Sequence, residues 1–423
     1  MTFSLPAPVE KALKMLEGAG FPAYVVGGCV RDRALGTEPH DYDICTAAQP
    51  EDMRRIFQRE RTIETGIQHG TLTVLLDGMP LEITTFRLDG EYLDGRHPAS
   101  VRFTGRVEDD LSRRDFTINA MAYAPGAGLV DPFGGREDCR RGVIRCVGKA
   151  ETRFGEDALR ILRALRFSAR LGFPIDPDTD QALRRGRGQL HHISRERIAA
   201  ELTGLLLGRD AGAVLGRYPE VIGTVLPEMQ ALTAGEDWPL TLRRIDAAPA
   251  NEIIRWAAFL QEGEQDAQDS AQLARDILRG LKMSGKMMDA VSQLVLWKGA
   301  ALTVENTQEM LMRLGPERLA YLIRLREADR LARREELDAV RADTAALIRE
   351  RARLQAEKAC YTLGQLAVNG GDMAALGLRG PAIGKALEAL LLHVVRRELP
   401  NRRDALIAAA KQRLDTTEVP AHS

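Results

Sequence analysis

The chain has 423 residues, with 59 Lys and Arg against 60 Asp and Glu and a net charge of −1. That near balance excludes a uniformly basic nucleic-acid binder, although basic residues can still cluster. At 44% hydrophobic content it can bury a core in more than one domain.

No apolar run is long enough to span a bilayer, so no membrane association is expected. Five scattered cysteines lack a Cys-x-x-Cys pairing, and the N-terminus lacks a basic region before an apolar core. These features predict a soluble, reduced, cytoplasmic protein with no zinc site and no signal peptide.

In chain order, the first chemical signal is Phe21 to Val26, a short apolar run ending in Gly27-Gly28. Backbone N–H groups there can approach a polyphosphate with no Cβ in the way. Arg31 follows about one helical turn later, placed for phosphate oxygens. In Asp41-Tyr42-Asp43, strand alternation puts both carboxylates on one face and the tyrosine on the other. Two hard oxygen ligands on one face suit Mg²⁺, which takes few protein carboxylates and shares substrate phosphates.

Leu72 to Leu76 and Leu81 to Arg87, joined through Asp77-Gly78, read as a hairpin that could carry Glu82 beside the aspartates as a third carboxylate. Its alternative is an exposed strand residue. Ser112 to Ala122 contains Arg113 and Arg114 before a helix start expected near Asp115. Asp131 to Gly135 is turn-rich, and Gly142 to Val147 reads as a short strand.

Gly155 to Phe167 reads as an amphipathic helix with apolar residues at 158, 159, 162, 165 and 169. Asp157, Arg160, Arg163 and Arg166 recur every three residues along its polar side. Beyond Val147 strand signals nearly vanish. Glu262 to Ser270 reads as an exposed loop, and residues 317 to 358 as one or two long exposed helices. Clusters at Arg184, Arg185 and Arg187, at Arg195 and Arg197, and at Arg396, Arg397, Arg402 and Arg403 read first as solvated helix faces, with RNA contact as the alternative.

The glycine-arginine loop, the Asp-x-Asp, the Arg-Arg-Asp-Phe-Thr-Ile-Asn-Ala-Met-Ala block, the Asp-Pro-Phe-Gly-Gly turn and the Glu-Asp-Ala-Leu-Arg helix stand in one order. That order resembles the class II tRNA nucleotidyltransferase and poly(A) polymerase family, on the side of its bacterial CCA-adding members. The resemblance is dense over residues 20 to 205 and thin afterwards.

It implies an α+β head with a polymerase-beta-like mixed sheet (1–145), an all-helical neck carrying the nucleobase-recognition helix (146–235), and a helical body and tail that bind tRNA (236–423). It also implies Mg²⁺-dependent addition of C, C and A to a tRNA 3′-hydroxyl from CTP and ATP. Asp41 and Asp43 match its metal-binding aspartates, and Glu82 matches the third acidic position suspected from the hairpin. Gly28, Arg31 and Arg114 match residues that hold triphosphate and ribose. Asp157, Arg160, Arg163 and Arg166 match the stretch meeting base and phosphates, with Asp157 and Arg160 as the base-selecting pair.

That last assignment has independent chemical sense. Cytosine and adenine each present an amino donor beside a ring-nitrogen acceptor, which a carboxylate and a guanidinium complement. Uracil and guanine present the reverse pattern and would leave buried polar groups unpaired.

Within the family, A-adding enzymes and poly(A) polymerases are the alternatives. The intact loop at 86–103 disfavours CC-only activity, and Gly66 to Leu72 favours the tRNA enzymes. His69 in that run suits a turn hydrogen bond better than catalysis. The stretch Arg255 to Gly263 lacks the His-Asp pair of phosphohydrolase-bearing relatives. A non-catalytic RNA-binding protein would have lost the carboxylates or the Arg-Arg-Asp block, and a small-molecule nucleotidyltransferase leaves the Asp157/Arg160 helix unexplained.

Overall fold

The computed structural model describes residues 3–90, 101–261 and 266–417. Its strands are β1 (Ala23–Val26), β2 (Asp43–Thr46), β3 (Arg61–Ile63), β4 (Thr71–Leu76), β5 (Met79–Thr85), β6 (Arg87–Asp89), β7 (Val101–Phe103), β8 (Ala122–Ala124) and β9 (Gly128–Val130). The main sheet runs β3-β4-β5-β2-β1-β8-β9, and β6 pairs with β7 separately. Every pairing is antiparallel except β2 with β5, which is parallel.

The β4–β5 hairpin forms where expected. Asp77 (φ 49°) and Gly78 (φ 83°) both take positive φ, the requirement of a tight two-residue turn that matches strand twist. Leu72, Val74, Leu76, Leu81 and Ile83 are buried, while Glu82 keeps to the exposed face. The parallel β2–β5 pairing requires a crossover, supplied by α3 (Pro50–Ile56) and the first strands of the hairpin region.

Around this sheet stand α1 (Ala7–Gly18), α2 (Gly28–Ala34), α4 (Val107–Ser112) and α5 (Gly135–Arg141). A core of Val26, Cys45, Phe86, Leu111, Ala122 and Val147 joins the strands to α4. The helix expected to start near Asp115 is instead a 3₁₀ turn at Thr117–Asn119. Asp115 Oδ1 accepts from the N–H of Phe116 and from Asn119 Nδ2, and so holds the backbone in a tight local turn. Residues 142–147 form only isolated bridges, Phe116 with Cys146 and Ile144 with Ile175, in place of the expected strand.

The remainder of the first unit, Met1–Gly235, is helical: α6 (Ala150–Glu156), α7 (Leu159–Leu171), α8 (Pro177–Gly186), α9 (Arg195–Leu206), α10 (Ala211–Arg217) and α11 (Pro219–Val225). Helix α7 buries Leu159, Leu162, Leu165 and Ala169, the apolar stripe its spacing predicted. It packs against α9, where Gly204 matters. A Cβ at Gly204 would stand 2.5 Å from Arg166 Cδ, so only glycine lets the arginine stem lie across this helix.

The second unit, Glu236–Ser423, is helical among its described residues. The charged stretch forms two helices, Thr307–Ala332 and Leu337–Ala356, the first kinked at Gly315 (φ 75°) before Pro316. That first helix is less exposed than expected, since Leu319, Leu322, Ile323, Leu325 and Ala328 are buried. Of the acidic loop expected at Glu262 to Ser270, residues 262–265 lie outside the described ones, and Asp266 caps a helix at Ala267–Gly280. Arg255 and Trp256 belong to a buried helix, Glu252–Leu260. Among the described residues no helix is long and apolar enough to cross a membrane.

Candidate active site

Strand β1 ends in Gly27, and α2 begins at Gly28. Gly27 has φ 77°, and a Cβ there would come within 2.9 Å of Arg114 Nη1. The turn therefore brings the Arg114 guanidinium against bare backbone. Gly27, Gly28 and Cys29 line an open cleft of ≈ 630 Å³ together with the first turn of α2, whose N–H groups have no intrahelical acceptor. Asp41 and Asp43 line the same cleft.

As strand alternation requires, Tyr42 is buried on the far side, where its hydroxyl accepts from Arg33 Nη2 at 3.1 Å, while both aspartates face outward. The Asp43 carboxylate lies on the cleft wall. Desolvation raises its pKa first, then the charge of Glu82, with Asp41 adding to them against Arg114.

Glu82 is the register partner of Asp43 on parallel strand β5, so the two project on the same side of the sheet. No group of three or more His, Cys, Asp or Glu among the described residues is placed to hold a metal. The donor set is therefore a carboxylate pair in an open, anion-binding cleft. That fits a hexacoordinate, water-keeping Mg²⁺ and not a closed protein cage.

Arginines form the opposite wall. Arg31 is buried and spans two groups, donating through Nε and Nη2 to Asp32 Oδ1 and through Nη1 to Asn119 Oδ1 at 2.7 Å. Arg114 Nη2 reaches Asp110 Oδ2 at 3.3 Å, and its Nε is buried with no acceptor among the described residues. Burial would raise the Asp110 pKa, but Arg113 and Arg114 hold it below the usual carboxylate range.

Arg163 Nε donates to Asp115 Oδ2 at 2.8 Å, and Arg166 Nε lies 3.1 Å from Glu201 Oε2. The guanidinium carbons of Arg31, Arg163 and Arg166 stand 5.3, 5.3 and 5.1 Å from the Phe167 ring centroid. The aromatic ring thus packs against all three guanidinium groups and fixes them at the cleft wall. The thiol of Cys29 is pushed up to about 11, by burial and then by Asp43, and stays protonated at neutral pH.

The helix expected over Gly155 to Phe167 is broken at Asp157, whose extended backbone separates α6 from α7. Asp157 stands just before α7 and Arg160 in its first turn; neither lines this cleft, and they meet only through the backbone, the Arg160 N–H donating to the Asp157 carbonyl at 3.0 Å. Asp157 Oδ2 accepts from Arg197 Nη2 at 2.6 Å and Oδ1 from the Leu159 N–H at 3.0 Å. Arg160 donates through Nη1 to Glu156 Oε2 (2.6 Å) and the Arg153 carbonyl, and through Nη2 to the Arg113 carbonyl (2.9 Å). The cleft also holds His40, Asp115, Asn119, Phe167 and Arg170, which the sequence reading did not single out. Arg170 was detectable as the residue four positions after Arg166, one helical turn further along the same face, although the three-residue period of the stripe points to Ala169. Asn119 was not, because its role depends on a contact with Arg31 across 88 positions.

The chain matches known families along most of its length. The poly A polymerase head domain matches residues 23–145, the RNA and SrmB binding site of polymerase A residues 172–217, and domain 2 of tRNA nucleotidyltransferase residues 249–410. A CCA-adding enzyme of Limosilactobacillus fermentum is 38% identical, with 97% of this chain and 98% of that one covered. The crystal structure of Bacillus stearothermophilus CCA-adding enzyme in complex with CTP superposes with a TM-score of 0.81 at 35% identity, covering 98% and 99% of the two chains. The Thermotoga maritima CCA-adding enzyme complexed with tRNA_CCA shares the fold, with a TM-score of 0.60 at 20% identity over 97% and 96% of the chains.

Proposed function

This chain belongs to the family of CCA-adding enzymes, and from that membership and its cleft we infer that it completes tRNA 3′ ends with C, C and A. It draws the residues from CTP and ATP without a nucleic-acid template. The observation that carries the reading is one open cleft in which the Gly27-Gly28 turn, the Asp41/Asp43 pair and the arginine face of α7 meet. A nucleoside triphosphate needs those three elements together: bare backbone and cations for phosphate, and carboxylates for its metal.

In this reading Arg31, Arg114, Arg163 and Arg166 hold the triphosphate, with Arg114 Nε a buried donor that has no acceptor among the described residues. Asp41 and Asp43 would hold Mg²⁺, which supplies charge neutralisation at the phosphates and a lowered pKa for the attacking hydroxyl. The RNA 3′-hydroxyl attacks the α-phosphate and pyrophosphate leaves. The protein contributes position and electrostatics, with no covalent intermediate. Glu82 adds negative charge beside Asp43.

Asp157 and Arg160 select the base. Asp157 can keep Arg197 and still accept from an exocyclic amino group, because a carboxylate offers about four lone-pair sites. Arg160 spends three donors on Glu156 and two carbonyls and retains others of its five N–H groups for a ring nitrogen. The division of labour is a catalytic head (1–145), a neck with the selecting helix (146–235) and a tRNA-binding body and tail (236–423). The relatives matched over nearly the whole chain give no support to A-only or poly(A) addition.

The test incubates the protein and Mg²⁺ with tRNA transcripts ending before CCA, after C and after CC, with each nucleotide alone and with CTP plus ATP. Completion to CCA followed by arrest is expected. Growth only from the CC-ending transcript, or a long A ladder, would replace this reading by one of its relatives.

A further inference from the structure

Arg163, Arg166 and Arg170 fall on one face of α7, and all three line the cleft. The first two are neutralised by Asp115 and Glu201. On the facing wall Arg31 has Asp32 and Arg114 has Asp110. Arg170 differs from all four, being exposed and without a carboxylate or carbonyl partner among the described residues.

Its ordinary employment is taken as well. A cation in the last turn of a helix commonly serves the free carbonyls. Here Arg209 Nη2 donates to the Leu171 carbonyl at 2.6 Å, and the N–H of Gly172 returns to the Ser168 carbonyl at 2.9 Å. Arg170 meanwhile crowds its own kind. Burial is the main cause holding Arg166 below its usual range, and the charges of Arg163 and Arg170 add to it against Glu201 and Asp115. A polyanion in the cleft would relieve that repulsion.

We propose that Arg170 binds the terminal phosphate of the incoming nucleotide, and therefore the pyrophosphate that leaves. This rests on the reading of α7 above, in which the base lies at the Asp157/Arg160 end. At about 1.5 Å per residue, the ten positions from Arg160 to Arg170 span roughly 15 Å, a length comparable to an extended nucleoside triphosphate. Arg163 and Arg166 occupy the middle of that span, beside the glycine turn, so Arg170 is the cation left for the last phosphate.

The test measures calorimetric binding of CTP, UTP, CMP and inorganic pyrophosphate to the full chain with Mg²⁺, for wild type, R170Q and R170K. A charge-assisted contact predicts that R170Q binds CTP and pyrophosphate roughly tenfold more weakly. CMP binding stays unchanged, and R170K recovers most of the loss. The KM values for CTP and ATP rise by the same factor, and the preference over UTP is retained. The proposal is overturned if R170Q binds CTP and pyrophosphate as wild type does, if CMP weakens equally, or if only the KM for RNA rises. A wild-type chain that binds CTP no better than UTP would overturn both this assignment and the base-selecting role it rests on. An R170Q failure beside a discriminating wild type sinks Arg170 alone.

Discussion

Asp157 accepts a hydrogen bond from Arg197 at 2.6 Å, and this contact ties the start of α7 to α9 across 40 residues of sequence. With side chains 14% and 24% exposed, the pair is shielded enough for its geometry to matter. Asp157→Asn would present a donor where an acceptor is needed and would surrender the ion pair. It should cut the preference for CTP over UTP roughly a hundredfold, since discrimination rests on leaving the wrong base with unpaired polar groups. Arg197→Ala should relax the same preference by less, because it frees the carboxylate without reversing its polarity. Single-nucleotide misincorporation on a CCA-less transcript reads both. Unaltered discrimination in Asp157→Asn would remove Asp157 from base selection.

Local features of this site were legible because strand and helix periods are local. The burial of Tyr42 between two outward aspartates and the Asp77-Gly78 turn followed from short stretches of chain. The apolar stripe of α7 did too. What escaped depended on distant partners. Asp157 reads as the neighbour of Arg160 when only helical spacing is visible, yet Arg160 turns to Glu156 and Asp157 to Arg197. Asp115 reads as a helix start, but Arg163, 48 residues on, and Asn119 take its carboxylate and fix a 3₁₀ turn instead.

The Asp115–Arg163 pair gives a pH signature. Burial would raise the Asp115 pKa, but Arg163, Asn119 and the Phe116 N–H hold it below the usual range. A carboxyl depressed in the fold stabilises it above the unfolded value of about 4, and that stability is lost as pH falls through the lower folded value. Thermal melts should show Tm dropping below about pH 4. Asp115→Asn should lower stability at neutral pH by about 2 kcal/mol, the worth of a hydrogen bond to a charged group. The same variant should show a shallower acid limb, and an identical limb would assign the acid sensitivity to other carboxylates such as Asp110.

Gly27→Ala tests the backbone turn separately from the charges around it. At φ 77° and ψ −125° an alanine is strained by about 1–3 kcal/mol, and its Cβ would meet Arg114 Nη1 at 2.9 Å. The sheet should tolerate this, because the arginine head can move. Moving it misplaces a phosphate donor, so KM for CTP and ATP should rise together, roughly tenfold, while the backbone strain lowers Tm by several degrees. A rise for one nucleotide only would place the defect at the base and not at the triphosphate.

The carboxylates can be ranked by what each is asked to do. Asp43→Asn removes one of the two outward carboxylates and should cost roughly a thousandfold in turnover, matching the several kcal/mol of charge stabilisation a catalytic metal supplies. Asp41→Asn should fall in the same range. Glu82 is the register partner of Asp43 and raises its pKa, yet it completes no three-residue ligand group among the described residues. Glu82→Gln should therefore cost closer to tenfold, through the field at the metal site, since it contributes no ligand. Chelation should stop transfer in the wild type and leave Tm nearly unchanged, because an open pair of carboxylates does not hold the fold together. Rapid-quench turnover with saturating CTP orders the three variants. A Glu82→Gln enzyme as slow as Asp43→Asn would make Glu82 a full partner in catalysis, and one as fast as wild type would leave it an exposed strand residue.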